Sequence, residues 1–229
     1  MATGAPLATI MVIRITMTTP DAARLRLAQY LSPAFPVGGF AWSQGLEWAM
    51  DQAVVTRVSL PQWLADWQEY GAGWTDAVLV ALSLRSDADH GVLNDLAHAA
   101  CVSAERLTET TEQGAAFTAN IAALTGDRPT PVALPVAFGR ACANMPLHHT
   151  EIIAAYLQAQ AFALISAAIR FMPLGPVEGQ TILTAMQPAM LSTASRAASA
   201  NPDDLASTAW GGDMAAMHHE TMPVRIFRS

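Results

Sequence analysis

The chain has 229 residues, of which 52% are apolar and only 14% charged, with a net charge of −7. That length fits one helical domain, and so few charges leave uncharged surface to meet a partner. Each of the 12 basic residues is arginine, so neither a P-loop nor a Schiff-base lysine can be built, and no basic stripe exists to neutralise nucleic-acid phosphates.

Residues 1–19 read as a disordered leader: Arg14 divides a mildly apolar stretch, and no ordered signal-peptide pattern follows. Met11 and Met17 leave open a later start of translation. Thr19-Pro20-Asp21 supplies a capping hydroxyl, a preset φ and an acid for a helix over residues 20–31. The prolines and glycines of residues 32–40 exclude helix there. Ser43 can cap a short helix through Met50, and Ser59 with Gln62 suggests a capping box for one long helix from Leu60 to Leu82.

A further helix is expected after Asp87 or Asp89, continuing through a weak point at Gly114 towards Leu124. Residues 131–144 read as a short apolar helix, and Thr150-Glu151 opens a long one to Arg170, apolar nearly all round and therefore central. The longest strongly apolar run, Ala161 to Ile169, is too short to cross a bilayer, so no membrane span is expected. Helix resumes between Gly179 and Ala200, kinked or divided by Pro188. Asn201-Pro202-Asp203-Asp204 looks like another helix start, with Gly211-Gly212 ending that helix and Asp213 capping a last short one. With no alternating strand pattern and no repeat, the fold class is all-α, a single-domain helical bundle over residues 20–229 with a flexible C-terminal tail.

No catalytic motif and no cofactor-binding motif is present. Cys101 and Cys142 form no C-x-x-C pair and read as reduced core cysteines in a cytoplasmic protein. His90, His98 and Cys101 fall near one helical face with Asn94, which gives an alternative reading as an independent helical metal-binding protein. His148-His149 and His218-His219 are adjacent pairs that chelate poorly by themselves. The six tryptophans read as core.

Two segments stand apart from core chemistry. Residues 35–48 set Pro36, Val37, Gly38 and Gly39 beside Phe40, Trp42, Ser43, Gln44 and Glu47, joining backbone freedom to aromatics and an amide. The last nine residues place Val224, Ile226 and Phe227 among Arg225 and Arg228, after a helix expected to end near Glu220. A tail with such anchors is expected to stay mobile until a partner receives them, so that deleting residues 221–229 would leave thermal stability almost unchanged.

On these residues the chain resembles the F-type urease accessory protein family, whose motif P-V-G-G-F-x-x-S-x-G-L-E is matched from Pro36 to Glu47. Further matches are Pro135-Val136-Ala137-Phe138-Gly139, the Pro173-to-Gln180 region, and the closing Met217-to-Thr221 and Arg225-to-Ser229 segments. His218, Pro223, Trp42 and Ile226 depart from the family pattern. The resemblance implies an all-α homodimer without catalytic residues, cofactor or metal of its own. Such a protein joins the D/H-type urease accessory protein, recruits the G-type GTPase and docks on apo-urease for nickel insertion. Its implied partner-binding residues are Pro36, Gly38, Gly39, Phe40, Trp42, Ser43, Gln44 and Glu47 in the loop, with Glu220, Arg225, Ile226, Phe227 and Arg228 at the end.

Overall fold

A computed structural model describes residues 19–229, so all of the expected leader but Thr19 lies outside the described residues. Those residues form an all-α bundle with no strand among them. Thr19 caps α1 (Pro20–Tyr30) by accepting from Ala22 N at 3.3 Å. A 3-10 turn at Gly39–Ala41 then leads into α2 (Leu46–Asp51).

The long helix expected from Leu60 to Leu82 is two, α3 (Leu60–Tyr70) and α4 (Ala72–Ser83). They part at Gly71, where a later segment crosses: Thr208 N and Ala209 N both donate to Tyr70 O, and a Cβ on Gly71 would lie 3.0 Å from Ala209 Cβ. The Ser59–Gln62 capping box does not form, because Ser59 bonds back to Thr56 and Gln62 donates to Asp66. The next expected helix also divides, into α5 (His90–Ala99), capped by Asp89, and α6 (Ala104–Thr125), capped by Ser103. Gly114 is not a weak point in α6. It is where the start of α7 (Leu134–Cys142) crosses, and a Cβ there would lie 2.0 Å from Val132 O.

The centre of the bundle is α8 (His149–Phe171), long and apolar enough by length and composition to cross a membrane. Its composition is explained by packing against α9 (Pro176–Ala198), α4 and α2: the exposed residues along it are His149, Gln158 and Arg170, all polar. Gly179 lets α9 approach, since a Cβ there would lie 2.8 Å from Ile165 and Ile169. Pro188 neither ends nor divides α9, because it sits on the exposed side, where water can meet the freed carbonyl. Asn201 to Asp204 close only a 3-10 turn, though with both bonds of a capping box. The last helix, α10 (Trp210–His219), has Gly211 and Gly212 in its first turn, and Asp213 accepts from Ser207 instead of capping.

Candidate functional site

The two segments singled out by sequence meet in space. Gly38 (φ 76°), Gln44 (φ 54°) and Gly45 (φ 79°) turn the loop sharply enough to bring Ser43 and Glu47 under the closing residues. Gly45 also has no room for a side chain, because a Cβ would lie 2.4 Å from Ala216 N of α10. The carboxylate of Glu47, fully buried, accepts from Ile226 N at 2.6 Å, Phe227 N at 2.9 Å and the ring of His219 at 3.0 Å. Ser43 binds Ser229 through its backbone N–H (2.8 Å) and through its hydroxyl, and Arg228 N donates to Ala41 O at 2.8 Å.

The end of the chain is therefore packed, which corrects the expectation of a flexible tail. Phe227 is 3% exposed, with the guanidinium of Arg170 4.5 Å from its ring centroid. Arg228 lies over Trp42 at 4.3 Å and bonds Glu112 twice, at 2.6 and 2.9 Å, which holds the pKa of that carboxyl below the usual carboxylate range. Arg225 pairs with Glu105, which also faces His219 Nδ1 at 2.7 Å. His219 thus sits between two carboxylates, one at each ring nitrogen. Local entropy reasoning fails here because Glu47 supplies a preformed acceptor for the backbone of the tail.

Among the expected partner-binding residues, Trp42, Ser43, Glu47 and Phe227 are buried within the chain, and Gln44 is half-buried. Only Phe40, 75% exposed, remains of the loop's aromatics as a free contact group. Pro36, Gly38, Glu220, Arg225, Ile226 and Arg228 are exposed and Gly39 half-exposed, with Glu220 accepting from Ala104 N at the start of α6. Exposed Trp210, Met214 and Met217 add one apolar face of α10.

Beneath the loop runs a buried polar chain that sequence reasoning missed. Trp67 Nε1 donates to Gln44 Oε1 (2.8 Å), whose amide donates to Glu109 (3.3 Å). Arg106 bonds Asp76 through both carboxylate oxygens, at 2.9 and 2.8 Å, and Tyr156 donates to the same acid at 2.9 Å. Glu109 Oε2 lies 2.9 Å from Arg106 Nη1 at an angle too poor for a hydrogen bond, so that contact is Coulombic. Burial opposes the charge of Arg106, but Asp76 and Glu109 outweigh it and hold the guanidinium ionised. Burial, and then Asp76, push the Tyr156 phenol well above its usual range. The readable signal was the acidic spacing of Glu105, Glu109 and Glu112 on one face of α6.

The metal alternative has no geometric basis. His90 faces Ser83 O, His98 faces Thr111, and the Cys101 thiol points to Ala97 O. No group of three or more His, Cys, Asp or Glu residues is placed to hold a metal ion among the described residues. Burial pushes the half-buried Cys101 thiol up to about 11 and the Cys142 thiol further, which keeps both unreactive, but only Cys142 lies in the core.

A UreF family profile matches residues 54–187. The chain is 67% identical over 215 residues to the urease accessory protein UreF of Paracoccus denitrificans (strain Pd 1222), a match spanning 94% of this chain and 100% of that protein. It is 52% identical over 210 residues to the urease accessory protein UreF of Cereibacter sphaeroides (strain ATCC 17023), spanning 91% of this chain and 100% of that one. The protein of the same name from Roseobacter denitrificans (strain ATCC 33942) is 42% identical over 225 residues, 96% of this chain and 100% of its own.

Proposed function

The chain belongs to the UreF family of urease accessory proteins, and from that premise we propose that it acts as a non-catalytic scaffold in nickel insertion. In this reading it is a cytoplasmic homodimer that binds the D/H-type accessory protein, recruits the G-type GTPase and presents both to apo-urease. The observation that carries the reading is the junction of loop and tail. Residues far apart in sequence are joined by Glu47, Ser43 and Glu112, and on the two joined segments Phe40, Val224 and Ile226 stay exposed. Exposed apolar side chains on segments already held in place can meet a partner at a smaller ordering cost than loose ones.

Nickel is cargo in this scheme, so the protein needs no resident metal site. The test is apo-urease produced with the other accessory proteins and nickel, with and without this chain. Urease activity and nickel content should rise together only when the chain is present. Equal nickel loading in both preparations would remove the proposed role.

A further inference from the structure

Nearly every buried or half-buried carboxylate among the described residues faces a basic side chain. Glu47 and Glu105 face His219, Asp76 and Glu109 face Arg106, and Glu69, Glu151 and Glu178 face Arg196, Arg24 and Arg57. The two exceptions, Asp66 and Asp213, line the same cavity of about 400 Å³ between α3 and α10. Trp63, Trp67, Tyr70 and Trp210 supply its aromatic wall. Arg106 also reaches it, but its guanidinium is already held by Asp76 and Glu109. Asp66 takes one bond, from Gln62 at 2.8 Å, and Asp213 one, from Ser207 at 2.7 Å, leaving each carboxylate an oxygen to spare. Burial, only partly offset by the bond from Ser207, raises the Asp213 carboxyl above its usual range, as expected for a carboxylate withdrawn from water without a counter-ion.

The chain shows what completes such a set. Arg228 stacks on Trp42 at 4.3 Å while bonding Glu112, and Arg196 lies 4.9 Å from the Trp74 ring while pairing with Glu69. Each is a trio of indole, carboxylate and guanidinium. The cavity holds the indoles and the carboxylates without the third member. We propose that it binds a guanidinium group, stacked on its indoles and ion-paired with Asp66 and Asp213. A planar guanidinium suits both contacts, since it offers a face to the ring and paired N–H donors to the acids, which a compact, strongly hydrated ammonium does not. The group comes from a small guanidino compound or from an arginine of a docking protein, and the site stands independently of the scaffold role.

Titration calorimetry of the full chain with N-acetyl-arginine amide and its neutral isostere N-acetyl-citrulline amide tests this. Saturable one-to-one binding of the arginine compound is expected, with the citrulline compound weaker by at least about tenfold, and Asp213→Asn costing about tenfold against the arginine probe. If Asp213→Asn alters the far-UV spectrum, Trp63→Leu serves as the second variant, with the same loss expected. Methylguanidine binding as tightly as the blocked arginine assigns the site to small guanidino compounds. Tighter binding of an arginine-bearing pentapeptide than of methylguanidine assigns it to a docking protein. No saturable heat from any of these probes, or equal affinity for the arginine and citrulline compounds, overturns the proposal.

Discussion

Asp76 carries more of the core than any surface charge, because it takes both bonds from Arg106 and the phenolic hydrogen of Tyr156 with almost no water nearby. Asp76→Ala would leave a buried guanidinium with Glu109 alone, and breaking a buried pair from one side costs about 3–5 kcal/mol. Chemical denaturation should register that loss with little change in slope; a change below 1 kcal/mol would mean that water already reaches Arg106. Asp213 behaves in the opposite sense. Its carboxyl is raised in the folded state, so folding holds that proton more tightly than the unfolded chain does, and its ionisation weakens the fold as pH rises from below its unfolded value through its folded one. The Asp213→Asn variant should therefore gain in melting temperature relative to the natural chain between pH 4 and pH 7. A constant difference across that range would show that Asp213 titrates as it does in the unfolded chain.

Helix contacts in this bundle are set by small residues at crossings. Gly114 lies mid-helix in α6, where alanine would ordinarily add about 1 kcal/mol of helix propensity. Against that gain stands a Cβ 2.0 Å from Val132 O and 2.7 Å from Leu134 N, a backbone collision that only separation of α6 from the start of α7 relieves. Overpacking of this kind costs about 1–3 kcal/mol or more, so Gly114→Ala should lower the melting temperature, and a rise would show that propensity wins. The closing segment obeys the same accounting at its own scale. Removing residues 221–229 exposes the pocket of Phe227, worth about 1.5–3 kcal/mol, and strips Glu47 of two backbone donors. At about 2–4 °C per kcal/mol for a chain of this size, truncation should lower the melting temperature by about 5 °C or more. An unchanged melting curve would restore the picture of a loose tail.

Across the whole molecule, the helical class was legible because hydrophobic spacing and caps such as Thr19 and Asp89 act locally. What escaped was tertiary in origin. Gly71 and Gly114 read as one break too few and one too many, since their meaning depends on Ala209 and Val132, which pass them from distant parts of the chain. The site was half legible for the same reason: the motif loop and the arginine-bearing end stood out as strings, but nothing local announced that Glu47 would hold the end down or that Trp42 would be covered by Arg228. Burial of those groups narrows the candidate contact surface to Phe40, Val224, Ile226 and the outer face of α10. The most direct measurement is the dissociation constant between the D/H-type accessory protein and this chain, with and without the paired substitutions Phe40→Ala and Ile226→Ala. Truncated anchors at the centre of an interface cost about 2 kcal/mol or more, so the double variant should bind at least about thirtyfold more weakly while keeping its helical spectrum and melting temperature. Undiminished binding by a folded double variant would contradict the loop-and-tail surface as the place where the partner docks.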